Sequence, residues 1–171
     1  MITHQAKDDT FISSAIAMIL GSLLLTLGSC IKIPFYPVPF TGHTLVLFIL
    51  ALTQPPKKAA GSALFYLLWA SMGLPVLGGV ANSLWFISKS AGYLLSFPIA
   101  AYCIAVIARV KSPWLAICIG QLVIFICGFL GLFPLVGASI ALTKGVLFFL
   151  PSAFVKGLLA TQIAGRIHAR Y

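Results

Sequence analysis

The apolar positions of this chain fall in long unbroken blocks, separated by short clusters of proline, glycine and cations. No charge interrupts TFISSAIAMILGSLLLTLGSCI, residues 10–31, which predicts a first membrane-spanning helix, since about 20 helical residues cross a bilayer core. A second block opens at Thr41, His43 and Thr44 and runs to Thr53, where QPPKK stops it. A third, AAGSALFYLLWASMG, covers residues 59–73. Both are short for a lipid-exposed span and are expected to be sheltered by neighbouring helices. The fourth block, AGYLLSFPIAAYCIAVIA, covers 91–108, and the fifth runs from Trp114 to about Leu135. The sixth follows the connection GASIALTKG, contains Lys156 and ends near Ile167.

Two connections stand apart. KIPFYPVPF, residues 32–40, has prolines at 34, 37 and 39, which lack amide donors and disfavour helix. It reads as an extended, aromatic loop tucked back against the protein as a lid. LPVLGGVANSLWFISKS, residues 74–90, reads as a structured loop with room for a short helix. The pattern predicts an all-α membrane protein: a compact bundle of six transmembrane helices with structured outer loops. It forms one integral-membrane domain over 1–171, with a short cytoplasmic N-terminal segment, 1–10. The first block is too long for a signal-peptide core and reads as a retained helix.

Composition sharpens this. The chain has 171 residues, of which 61% are hydrophobic and only 8% charged, with a mean hydropathy of +1.11. A soluble domain carries roughly 25% charged residues, so the surroundings of this one are lipid. The net charge of +9 comes from scattered single cations and pairs, without the basic stripe of a nucleic-acid binder. With the N-terminus inside, the inner segments carry Lys7, Lys57, Lys58, Arg109, Lys111, Arg166 and Arg170, and the outer loops carry Lys32, Lys89 and Lys144. That bias predicts a multi-pass cell-membrane protein with both termini cytoplasmic and a site opening outward.

Candidate chemistry is sparse. Asp8 and Asp9 are the only carboxylates, so no span holds an acid–base pair and no enzyme is expected. Cys30, Cys103, Cys118 and Cys127 are too dispersed for a metal site or a disulfide framework. The phosphate-cradling pattern GxxxxGK[ST] is absent, so ATP would have to be used by another chain. Lys156 is the exception. It lies ten residues before Arg166, deep in the last block, where an ammonium needs neutral acceptors or an anionic ligand, or must snorkel to an interface. Ser152, one turn earlier, is a possible neighbouring acceptor. Asn82 suits an amide-like or ureido ligand, or simply caps its loop. Lys89 could draw in an anion from outside, or be a solvated loop cation. His43 reads as a capping or packing residue, or as a ligand contact. Ser13, Ala17 and Gly21 form a small-residue row on the first helix, suited to a partner helix or to packing within the chain.

Four stretches together, IPFYPVPFTGHTL, ALFYLLWASMGLPVLGG, AGYLLSFPIAAY and GVLFFLPSAFVKGLLA, resemble the BioY family, the biotin-binding S components of energy-coupling factor (ECF) transporters, over about Ile33 to Arg166. The resemblance implies a six-helix membrane protein that captures biotin from outside without a cofactor. It further implies, as separate chains, a transmembrane coupling subunit and two ATPases. Lys156, Asn82, Tyr93, Lys89, His43 and Ser152 are thus put forward as ligand contacts, and Ser13, Ala17 and Gly21 as a face for a partner, with the resemblance favouring Ala17 and Gly21 as facing the coupling subunit. The sequence departs from the family pattern at three places. SKSAGY stands for GPTGGY, PSAFVK for PGDxxK with Ala153 at the aspartate, and TGHT for TxQT with His43 at the glutamine. These departures leave room for two other readings, an S component for another small carboxylate vitamin and a membrane scaffold without a small ligand.

Overall fold

The computed structural model describes residues 2–168, with side chains for 12–167. The segment 1–10, with Lys7, Asp8 and Asp9, lies outside the described side chains, and Arg170 lies outside the described residues. The first apolar block forms α1 (Ile2–Cys30). This helix starts earlier than the block itself, because nothing between Ile2 and Thr10 is a glycine or proline that would stop it. A short antiparallel hairpin follows, β1 (Lys32–Ile33) paired with β2 (Phe40–Thr41), in the register Lys32 to Thr41 and Ile33 to Phe40. Its prolines sit in the connection between the strands, where no ladder donor is needed. Next come α2 (His43–Thr53), α3 (Pro56–Ser71), α4 (Ala91–Ile107) and α5 (Pro113–Val136). Proline in the first turn starts both α3 and α5, and the Ser112 hydroxyl caps α5 by accepting from the Leu115 amide at 3.2 Å.

The connection 137–145, which the sequence pattern reads as part of an outer loop, is the short helix α6 (Ala138–Gly145). Gly137, at φ +82°, breaks the chain out of α5, and the residues after it contain no further breaker before Gly145. Lys144 lies in the last turn of α6, where a cation complements the helix dipole. A single 3-10 turn, Leu147–Phe149, leads into α7 (Leu150–His168), and another, Trp85–Ile87, lies in the 74–90 connection. Three stretches are long and apolar enough to cross a membrane: Ile12–Cys30, Pro113–Val136 and Ala138–Ile167.

The helices close into a ring. α1 packs on α3, α3 on α4, α4 on α5, α5 on α7, α7 on α2, and α2 returns to α1 while also touching α4. This explains how an eleven-residue helix of only about 16 Å is tolerated. α2 buries Leu47, Phe48, Leu50 and Ala51 among its neighbours and does not have to span lipid alone. The tightest crossing is α4 on α5. A Cβ on Gly92 would collide with the Cys127 carbonyl, and Gly131 faces Gly92 in return, so backbone meets backbone there.

The small-residue row of α1 divides. Ser13 is exposed and Ala17 half-buried, but Gly21 is buried against α3, where a Cβ would run into the Ser62 side chain. Each four-residue step on an α-helix rotates the side chain by about 40°, so two steps turn Gly21 away from the face that Ser13 presents. Gly21 is therefore an internal packing residue and not part of an outward surface. Gly21→Leu is expected to destabilise the protein by about 1–3 kcal/mol through overpacking, lowering its melting temperature in detergent. Ala17→Leu, on the open side, should leave the melting temperature close to wild type. Equal melting temperatures for both variants would contradict this packing.

Candidate functional site

A cavity of about 260 Å³ lies inside the ring at the end covered by the hairpin and the 74–90 connection. α2 contributes His43 and Thr44, α4 Tyr93, Leu94 and Phe97, α5 Gln121, Ile124 and Phe125, and α7 Ser152, Ala153 and Lys156. Val38, Pro39 and Thr41 of the hairpin segment cover it, with Leu77, Gly78, Asn82, Ser88 and Ser90 beside them. The lining is mainly apolar with a few convergent polar groups, the usual character of a small-molecule site.

The hairpin is held down by aromatic rings. Phe40 stacks on Phe149 with centroids 4.3 Å apart, and Phe35 packs edge-on against Phe40 at 5.1 Å and beside Phe148 at 5.6 Å. Non-helical backbone at membrane depth needs such protein cover. The lid expected from KIPFYPVPF takes this form. Lys156 adds a polar tie, its Nζ donating to the Thr41 carbonyl at 2.7 Å. That carbonyl, on the hairpin, is the acceptor, whereas Ser152 of the same helix lines the cavity beside it.

A chain of hydrogen bonds continues from Thr41. His43 Nδ1 lies 2.9 Å from the Thr41 hydroxyl, and His43 Nε2 bonds the Tyr66 hydroxyl. With Tyr66 donating to the Val76 carbonyl at 3.3 Å, the Nε2–H donates to Tyr66, and in that neutral tautomer Nδ1 accepts from the Thr41 hydroxyl. Ser29 donates to the same Val76 carbonyl at 2.7 Å and accepts from the Gly78 amide at 2.8 Å, and Lys32 Nζ donates to the Gly78 carbonyl at 3.1 Å. The network joins both covering segments to α1, α2, α3 and α7.

Five of the six residues put forward as ligand contacts line the cavity: Lys156, Asn82, Tyr93, His43 and Ser152. Their roles differ. His43 uses both ring nitrogens within the chain. Tyr93 gives its hydroxyl to the Gly145 carbonyl at 2.7 Å and lies near parallel to Phe149, offering ring surface. Lys89 stands outside the lining. It is exposed, with its ammonium 4.4 Å from the centre of the Tyr36 ring, and Lys144 lies 6.0 Å from the same ring. Ser29, Lys32, Thr41, Gln121, Phe97 and Phe149 line the cavity without having been singled out. Nothing local marks them, since they come together only when the ring closes.

A model of the BioY family matches residues 3–171. The chain belongs to the BioY family. The probable biotin transporter BioY of Pyrococcus horikoshii is 33% identical over 145 residues, 84% of this chain and 89% of that protein. The probable biotin transporter BioY of Rickettsia prowazekii is 29% identical over 157 residues, 88% of this chain and 81% of that protein. The fold of this BioY-family chain is that of a crystal structure described as the S-component for biotin from an ECF-type ABC transporter. The TM-score is 0.76 at 24% identity, covering 96% of this chain and 93% of that one.

The network yields a test of His43. His43→Leu leaves the Thr41 and Tyr66 hydroxyls without their shared partner, a loss of about 1–3 kcal/mol for buried polar groups. A clear fall in melting temperature, measured in detergent without any ligand, is the expected result. An unchanged one would show that His43 does not hold the cover in place.

Proposed function

We propose that this BioY-family chain captures biotin from the outer side of the membrane and delivers it inward as the S component of an energy-coupling factor transporter. The observation that carries this reading is the cavity under the hairpin, where an ammonium and a carboxamide line a mainly apolar chamber. Biotin matches that chemistry. Its bicyclic thioether ring is apolar, its ureido group has N–H donors and a carbonyl acceptor, and its aliphatic tail ends in a carboxylate. Ring surfaces of Tyr93, Phe97 and Phe149 suit the bicycle, while Asn82 and Lys156 suit the polar groups.

The names of the relatives support biotin as the ligand. The energy source lies elsewhere, in a module with a transmembrane coupling subunit and two ATPases, which agrees with the missing phosphate-binding loop. Ser13 and Ala17, on the open side of α1, offer a low-relief face on which a partner helix could approach closely. The cation bias supports an orientation with both termini in the cytoplasm and the covered end of the cavity outside. The function is transport without covalent chemistry on the ligand.

Titration calorimetry of the purified chain in detergent, without ATP or metal, should show saturable biotin binding at micromolar concentration or tighter. No heat of binding in that range would sink the reading. If binding were competed more strongly by another carboxylate vitamin, the transporter class would stand but biotin would be displaced as its ligand. Lys156→Met keeps the apolar stem and removes the ammonium. It should remain folded while biotin affinity falls roughly ten- to a hundredfold, the worth of a charge-assisted hydrogen bond of about 1.5–3 kcal/mol. Wild-type affinity in that variant would reduce Lys156 to a tie for the hairpin.

A further inference from the structure

Among the described residues, two buried side-chain polar atoms have no hydrogen-bond partner, Trp69 Nε1 and Gln121 Oε1. Only Gln121 lines the cavity. It lies in mid-helix on α5, one turn before Ile124 and Phe125, which line the same wall. Its backbone is firmly placed. Neighbouring Gly120 is pressed onto α4, where a Cβ would enter the Ile104 side chain, so this turn of α5 is held close against α4.

A carbonyl oxygen sealed from solvent and without a donor is costly, and proteins rarely keep one without a use. Gln121 also borders a second, mainly apolar groove between α5 and α7, together with Phe125 and Ala153, and the donors on that side, the Trp114 indole and the Cys118 thiol, make no hydrogen bond to its side-chain oxygen. Ala153, which stands where the family pattern has its aspartate, contributes a methyl group and no acceptor. The cavity thus contains donors from Lys156 but lacks any carboxylate to receive the N–H groups of a ligand.

We propose that Gln121 is a specificity-determining residue whose side-chain carbonyl accepts a hydrogen bond from an N–H of the bound ligand, which for biotin is a ureido N–H. This rests on the reading of biotin as the ligand. Binding then satisfies an atom that the protein alone leaves unsatisfied, so the interaction discriminates against ligands that lack the N–H. A site built to pair with a polar group rejects an analogue without it more strongly than an apolar wall rejects a small change in size.

The role differs in a measurable way from a structural one. Gln121→Met conserves volume and removes the orphaned oxygen. The ligand-free variant is therefore expected to melt at the same temperature as wild type or higher, while its biotin affinity falls roughly tenfold. Gln121→Leu, which differs in shape, should move both quantities in the same directions. A structural glutamine would instead lower the melting temperature.

The second arm varies the ligand, using biotin methylated at one or the other ureido nitrogen. One of the two methylations should cost wild type much more affinity than it costs Gln121→Met, so that the two losses are non-additive. If wild type binds biotin and both variants bind it equally well, or if methylation costs wild type and variant alike, the assignment of Gln121 is overturned. If wild type binds no biotin at all, the proposed function itself fails and the assignment falls with it.

Discussion

The hydrogen bond from Lys156 Nζ to the Thr41 carbonyl, at 2.7 Å, joins the most costly side chain of the bundle to its least regular backbone. The only carboxylates in the sequence are Asp8 and Asp9, far along the chain from α7, so the ammonium depends on neutral acceptors or a ligand. The hairpin has the complementary difficulty, since its prolines and short strands leave carbonyls that cannot be satisfied by a helix. One contact eases both. From Thr41 the polar network passes through His43 and Tyr66 to Val76, Ser29 and Gly78, so several of the groups that fix the cover, Thr41, His43, Ser29 and Gly78, also line the cavity.

That arrangement places the site on rigid elements. α4 and α5 meet backbone to backbone at Gly92 and Gly131, and the Tyr93 ring rests where Gly128 leaves room for it. The aromatic wall of the cavity is therefore set by close helix packing, while the polar groups come from the covering segments and from α7. A ligand with an apolar body and polar ends fits such a division of labour.

Much of this architecture is legible in the sequence. The charge-free blocks located the helices to within a few residues, apart from the early start of α1. The proline spacing in KIPFYPVPF marked a non-helical cover, and its aromatic content foretold the rings that hold it down. Lys156 declared itself by its cost. What could not be read depends on rotation and closure. The turn of Gly21 toward Ser62 follows from the drift of four-residue steps together with the position of α3. α6 hid in a stretch too short to show a period. Gln121 looked like an ordinary polar residue in an apolar helix, because its lack of a partner is a property of the assembled ring. Lys89, a candidate ligand contact through its charge, lies outside the cavity lining and against Tyr36.

The hairpin acts as the cover of the cavity proposed for biotin. Backbone amide exchange of residues 32–42 and 76–82, followed in detergent with and without biotin, tests this most directly. Occupancy that stabilises the covered state by about 1.4 kcal/mol slows exchange tenfold, and slowing of at least that order is predicted at saturating biotin in both segments. Unchanged exchange there, with biotin shown to be bound, would place the ligand elsewhere and contradict the account.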